Sequence, residues 1–446
     1  MSTTVEAQRA WFEQAIDQAQ GDLPGQDLDW LQQTRAHARR AIETLPVPNR
    51  KSEEWRYTAI EGLLKNSFQT PAGEADAARV LEAGDWLEPD YPAYRVIIVN
   101  GRCIVDASQT AGLPEGATVG SLRAALATDP ELLGTWFGQA AAHTDHLFTA
   151  LNTALINDGI FLHLKPGVVL DRPVEVVYLS LGQEQAPLTQ PRNLVVLEKG
   201  ASATLVERFI GPGNALYFHN GVTELALREG AILKHCRVQD ESRNAYHLSS
   251  LYLTQDRNSL YQGTTLAFGG AWARTDYQAV FKEEGARCEL GGLYTVGDRQ
   301  LIDFHLDVRH SVPDCSSREQ FKGILYGKGR GVFDGRILVE KQAQHSDAHL
   351  SNDNLLLTEN GEIDTKPQLE IYADDVKCSH GTTVGQIDPQ QMFYLRSRGI
   401  DADAARRMLC LGFAGEVIEA IEVPELREYA SQRLVATLNQ SIQAAE

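Results

Sequence analysis

The chain has 446 residues, too many for one ordinary compact domain, and with 43% hydrophobic and 23% charged residues it has enough apolar surface for an ordered fold. Its 60 acidic residues outnumber 41 basic ones, and the formal charge of −19 repels a phosphate backbone, which argues against nucleic acid as a partner. Met1 to Gln20 lack the apolar core of an export signal and no apolar run approaches the roughly 20 residues that cross a bilayer, so the chain reads as cytoplasmic and without membrane contact.

Helical spacing comes first along the chain. Leu28, Leu31, Ala38, Ile42 and Leu45 fall on one helical face, with Asp27 as the expected N-cap and Pro46 and Pro48 as the stop. Another helix is expected from Thr58, which forms a capping box with Glu61 ahead of Leu63 and Leu64. Residues 1–94 read as an N-terminal helical domain.

From 95 to 388 short β-rich runs dominate, interrupted by a helical insertion near 130–156. Runs at 174–181, 193–197, 203–209, 222–227, 248–254 and 277–281 carry strand-type patterns. Three similar turns, Lys199-Gly200-Ala201, Glu229-Gly230-Ala231 and Glu284-Gly285-Ala286, put a glycine that tolerates positive φ just before a new strand. Many short strands without helical crossovers leave a sandwich, a barrel or a solenoid, and the length favours stacked coils of irregular size. After Asp388 and Pro389 helical spacing returns over 389–446. Asp401 is expected to cap a helix bearing Ala404, Met408 and Leu411 and ending before Pro424, and Leu426, Tyr429, Leu434, Leu438 and Ile442 mark one more.

Specific residues then add to the periodicity. The run Asp364-Thr365-Lys366-Pro367-Gln368-Leu369-Glu370-Ile371-Tyr372-Ala373-Asp374-Asp375-Val376-Lys377-Cys378-Ser379-His380-Gly381 closely resembles the hallmark of the SufB/SufD family of iron–sulfur cluster assembly scaffolds. Similar stretches are Glu53-Glu54-Trp55-Arg56-Tyr57-Thr58, Ala150-Leu151-Asn152 with Asp158-Gly159, Asn352-Asp353-Asn354-Leu355-Leu356-Leu357, and Phe393-Tyr394-Leu395-Arg396-Ser397-Arg398-Gly399-Ile400. The resemblance therefore covers most of the length. His380-Gly381-Thr382 stands where the SufB branch usually reads His-Glu-Ala, and with Lys377-Cys378-Ser379 it resembles the SufD branch.

What the resemblance implies is mainly β: a right-handed parallel β-helix flanked by N- and C-terminal α-helical domains. It also implies a non-catalytic subunit that pairs with SufB through the β-helix cores and carries a SufC-type ATPase on its C-terminal helices. The iron–sulfur cluster would be transient and shared with SufB, with none bound by this chain alone. Reduced flavin on the assembled complex also fits the family, although no motif here locates a flavin or an iron donor. The chain has no Gly-x-x-x-x-Gly-Lys-Ser/Thr loop, so ATP hydrolysis must come from a partner.

Cluster assembly needs soft thiolate or imidazole ligands. Cys378 and His380 are the candidate iron or cluster ligands at the SufB interface: on a strand they share one face about 6.5 to 7 Å apart, and two ligands are too few for a closed site. Taken alone, Cys378 reads equally as a core residue and His380 as a structural hydrogen-bond partner. So do the other five cysteines, Cys103, Cys236, Cys288, Cys315 and Cys410, which stand singly without a Cys-x-x-Cys pair and read as small buried hydrophobes. Phe393, Tyr394, Leu395, Arg396 and Arg398 are the expected SufC contact, since they combine aromatic, aliphatic and guanidinium surface.

Other features favour structural readings. His345 and His349 have zinc-like helical spacing, but their surroundings suggest strands, which would separate them by about 13 Å. Gly327-Lys328-Gly329-Arg330-Gly331 reads as a solenoid turn, and Asp303, His305, Asp307 and Arg309 as one charged, solvated or interface face. Trp55 suits a packing anchor whose acidic neighbours belong to that packing or position a partner. Two rival functions remain: a carbohydrate-active enzyme working in a β-helix groove, and a structural homodimer without cofactor traffic.

Overall fold

The computed structural model describes residues 5–19, 23–71, 88–105, 108–141 and 146–443. Two helices, α1 (Val5–Ala19) and α2 (Asp29–Thr44), open the chain, and α2 buries Leu31, Ala38, Ala41 and Ile42 as its spacing requires. Asp27 is not its cap. A turn at Gly25, with φ of 63° and the Leu28 amide bonded to its carbonyl, places Leu28 in the N-cap position, where no side chain caps the helix. The helix expected from Thr58 is also absent: only a 3₁₀ turn forms, at Leu63–Lys65. Thr58 is buried, and its hydroxyl donates to the Asp303 carboxylate instead of capping a helix. Three short helices, α3 (Leu122–Thr128), α4 (Pro130–Trp136) and the wholly buried α5 (Leu147–Ala154), cover one flank of the β region.

The first strands are β1 (Tyr94–Val99), β2 (Arg102–Cys103), β3 (Ala117–Ser121), β4 (Ile160–Leu164), β5 (Val174–Leu179), β6 (Leu188–Thr189) and β7 (Arg192–Leu197). Longer ones follow: β8 (Ser202–Ile210), β9 (Phe218–Leu227), β10 (Ile232–Asp240), β11 (Tyr246–Gln255), β12 (Leu260–Ala267), β13 (Trp272–Phe281) and β14 (Arg287–Val296). The last are β15 (Leu301–His310), β16 (Ser316–Leu325), β17 (Arg330–Val339), β18 (Asp347–Leu356), β19 (Glu362–Ile371) and β20 (Lys377–Gly385). From β8 onward even-numbered strands join one sheet and odd-numbered strands the other, all in parallel register, which is a two-sheet β-solenoid. Ser202, Ile232, Leu260, Arg287, Ser316, Asp347 and Lys377 stack as one column. Their uneven spacing in sequence is why no fixed period is visible. Gly200, Gly230 and Gly285 take φ of 68°, 66° and 75° at the turns, a conformation that glycine adopts without steric cost.

Inward residues of both sheets fill the lumen with one continuous apolar cluster. Across the outer face of the even-numbered sheet lie α7 (Ala402–Glu419) and α8 (Pro424–Gln443), which follow α6 (Pro389–Ser397). Cys410, Ala414, Val417, Leu426 and Leu434 pack there against Val238, Leu266, Leu293 and Ile324. Polar ties hold the same contact: Lys322 Nζ donates to the Phe413 carbonyl at 3.1 Å and pairs with Glu416 at 2.9 Å, while Arg433 pairs with Asp240 at 2.7 Å. Asp401 caps α7 as its sequence predicts, accepting from the Asp403 and Ala404 amides.

Candidate functional site

The solenoid ends on two strands that have free edges, β20 in one sheet and β19 in the other. Along β18 the inward residues Ala348, Leu350 and Asn352 are buried, and the register sets Cys378, His380 and Thr382 of β20 beside them. Cys378 and His380 therefore share the lumen-facing row of the last strand, and His380 opens to solvent because no coil covers it. Cys378 is half-buried against the core cluster, and burial pushes its thiol upward, with a hydrogen bond from the Ala348 backbone acting the other way. Thr365 of β19 and Thr382 of β20 meet at 3.2 Å across the end. Ile371, Tyr372 and Val384 leave apolar surface exposed around it. Among the described residues no three His, Cys, Asp or Glu side chains are grouped to hold a metal ion, and this row presents one thiol and one imidazole beside an open side.

The second surface is α6, which buries none of its residues. Phe393 is 74% and Tyr394 55% exposed, and with Leu395, Pro389 and Leu409 they line an open groove of about 780 Å³. Arg396 and Arg398 do not line that groove, although the Arg398 guanidinium sits 4.8 Å above the Tyr394 ring.

Comparison with known proteins bears on both surfaces. Residues 180–413 match the profile described as the SufBD core domain of SUF system FeS cluster assembly, and residues 7–176 match the SufBD protein N-terminal region. The chain belongs to the SufBD family. It is 31% identical to the iron–sulfur cluster assembly protein SufD of Escherichia coli (strain K12) over 406 residues, 90% of this chain and 92% of that one. It is 30% identical to an iron–sulfur cluster assembly SufBD family protein of Synechocystis over 416 residues, 92% of this chain and 91% of that one. A Mycobacterium leprae SufBD family protein is 27% identical over 439 residues, 95% and 98% of the two chains. The chain is thus a SufBD-family protein of iron–sulfur cluster assembly, and its core profile takes in both β20 and α6.

Two stretches of family resemblance meet in this SufBD chain on the outer face of the odd-numbered sheet. Lys366 Nζ pairs with Glu53 at 2.6 Å, and the Arg274 guanidinium lies 3.9 Å from the Trp55 ring while donating to the Glu54 carbonyl. Trp55 is a packing anchor, buried and tilted against Phe148 at 5.6 Å. A groove of about 390 Å³ lies between Glu53, Glu54 and the sheet. Its floor is largely paired with itself: Asp307 with Arg309 and Arg336, and Arg336 with Glu370. No sequence pattern signals this groove, because its walls lie more than two hundred residues apart in the chain.

Asp303 departs from the solvated face expected for it. It is fully buried and pairs with Arg274 and with His305 at 3.1 Å, whereas His305, Asp307 and Arg309 do line the groove. His345 departs from the expected strand: it occupies a turn with φ of 60° between Asp314 and Asp375. His349 lies in β18 and pairs with Asp347. Gly327 to Gly329 form a turn between β16 and β17, in line with the solenoid-turn reading.

Proposed function

We propose that this SufBD-family chain acts as a SufD-type subunit, a non-catalytic cytoplasmic scaffold that pairs with a SufB subunit and is driven by a SufC-type ATPase. The observation that carries the reading is the placement of Cys378 and His380 together on the open last coil, beside two unpaired strand edges. Exposed strand edges bond to another chain readily, and a homologous solenoid offers the matching register. A paired SufB chain would then supply the remaining ligands around an iron ion or nascent cluster, with His380 as the imidazole and Cys378 as the less exposed thiol. The cluster is cargo in this scheme and leaves with its acceptor.

The groove on α6 supports the docking of SufC. Its aromatic and aliphatic lining is exposed in the isolated chain, which is the composition of an interface centre.

The test is anaerobic reconstitution of the complex from purified subunits, with iron and acid-labile sulfide counted per complex. His380→Ala is expected to leave assembly of the complex and ATPase activity near wild type and to lower cluster yield by roughly tenfold or more, since even losing the outer-shell partner of a metal ligand costs about that much. Cys378→Ala should do less. A wild-type yield from the His380→Ala complex would remove this residue from the scheme.

A further inference from the structure

Glu319 lies on β16 with its side chain in the lumen, 1% exposed, in the same row as Ser317 and Phe321. Leu290 of β14 and Leu350 of β18 flank it in register, and His380 of β20 continues that column one coil further out. Neither of its carboxyl oxygens makes a hydrogen bond of ordinary geometry among the described residues, and the neighbouring Ser317 hydroxyl is shared with His310. The groups around it supply no cation. Cys288 of β14 is near enough to feel its charge, His310 of β15 turns Nε2 to the Ser317 hydroxyl at 3.0 Å, and Asp347 of β18 acts on His310. Arg318 of its own strand and Glu289 of β14 are exposed on the outside, Lys322 is committed to Phe413 and Glu416, and His349 of β18 pairs outside with Asp347. The coils above it are the least buried of the solenoid: no residue of β19 or β20 is buried.

We propose that Glu319 makes opening of the solenoid end a proton-releasing event: packed under the last coils it keeps its proton, and when β18 and β20 lift from β16 water reaches the carboxyl and takes the proton away. An ionised carboxylate with no cation in an apolar lumen is costly, so the closed state holds the neutral acid. Burial pushes this carboxyl up to about 8, only partly offset by the Ser317 hydroxyl, and hydration in the opened end returns it toward 4.5. Between those values the closed state binds one more proton than the open state, so opening becomes easier as pH rises and levels off above about 8. His310 works against it at lower pH. Burial holds His310 down to about 4, so on exposure it takes up a proton below 6.5 and cancels the Glu319 term there. The window from about 6.5 to about 8 belongs to Glu319. This inference rests on the surroundings of Glu319 and not on the choice of partner.

Hydrogen exchange of the isolated full chain tests it, read at the β18 and β20 amides and corrected for the intrinsic rate at each pH. The opening equilibrium of the wild type should rise about tenfold from about pH 6.5 to about pH 8, and that of Glu319→Gln should show no rise. Infrared spectra of the wild type at neutral pH should also show a protonated carboxyl band that the variant lacks. A level wild-type profile, or an equal rise in Glu319→Gln, overturns the proposal. Should the variant not fold, absence of the protonated band from the wild type at neutral pH overturns it as well, and its presence together with the rise sustains it.

Discussion

Glu207 sits at 0% exposure in the lumen and still holds a charge, because Arg237 Nε donates to it at 2.9 Å and His235 Nε2 lies at 3.0 Å. Burial alone would push its carboxyl up, yet the Arg237 charge and the His235 contact outweigh it and hold the group at about 2. Replacing it by Gln leaves Arg237 buried and uncompensated, so Glu207→Gln should destabilise the chain by about 3 to 5 kcal/mol, read from the urea midpoint at neutral pH. The sign with pH follows. The folded value lies below the 4.5 of an ordinary glutamate, so the stabilisation is present above 4.5 and lost as pH falls toward about 2; the gap between wild type and variant should narrow across that window. Nothing in the sequence shows what keeps Glu207 charged in the lumen. Strand alternation in 203–209 identifies Ala203, Leu205 and Phe209 as the core row, and Glu207 occupies that same row as an apparent defect. Its partners come from the next coil, which no local pattern reaches. The same holds for Glu319, where the partner is missing altogether. Cys378 and His380 were legible as a pair because two residues apart on any strand means one face, whatever the coil around them.

At the scale of the element, the turns were visible and the lumen was not. Gly200, Gly230 and Gly285 stand before strands in similar tripeptides, so their positive φ could be read from the chain. Gly292 lies mid-strand in β14, where sequence rules read only a weakened strand. Its reason is across the ladder: a Cβ there would lie 2.2 Å from Cδ1 of Phe321 on β16. Gly323 has the same relation to the Tyr294 ring, at 2.4 Å. These glycines make room for a stack in which the Phe304 and Phe321 rings lie 5.1 Å apart and those of Phe321 and Phe333 5.2 Å. Gly292→Ala should therefore overpack the column and lower stability by about 1 to 3 kcal/mol, checked by thermal unfolding. Combining it with Phe321→Leu should recover part of the loss, since the pair then fits the space that either change alone disturbs. The caps expected at Asp27 and Thr58 failed for different reasons: the turn at Gly25 moved the N-cap of α2 to Leu28, and Thr58 was drawn to a distant carboxylate. A local hydrogen bond can be predicted from spacing, but Thr58 had a better acceptor in Asp303, 245 positions away.

For the whole molecule, the two surfaces lie at different places on one frame: the Cys378 and His380 row on the last coil, and the α6 groove on the connection between that coil and the helices packed along the even-numbered sheet. The order helical, β-rich, helical was legible because hydrophobic period changes with element type. Which side the helices would cover was not, since Cys236, Val238 and Leu266 look like any other buried strand residues until α7 and α8 pack over the sheet. This arrangement makes a clean test of the proposed docking surface possible. Phe393 and Leu395 contribute to no core cluster, so removing their side chains takes away groove lining without opening a cavity in the fold. The double change Phe393→Ala and Leu395→Ala should leave the thermal transition within about 0.5 kcal/mol of wild type, as surface substitutions do. Affinity for a SufC-type ATPase should fall by about 2 kcal/mol or more, close to thirtyfold, because an exposed aromatic at an interface centre is the usual carrier of binding energy. Arg396→Ala, whose side chain does not line the groove, should cost far less and serves as the control. Titration calorimetry distinguishes the outcomes: equal affinity for the double variant and the wild type would move the ATPase to another face, and an equal loss from Arg396→Ala would show that charge rather than the apolar groove holds it.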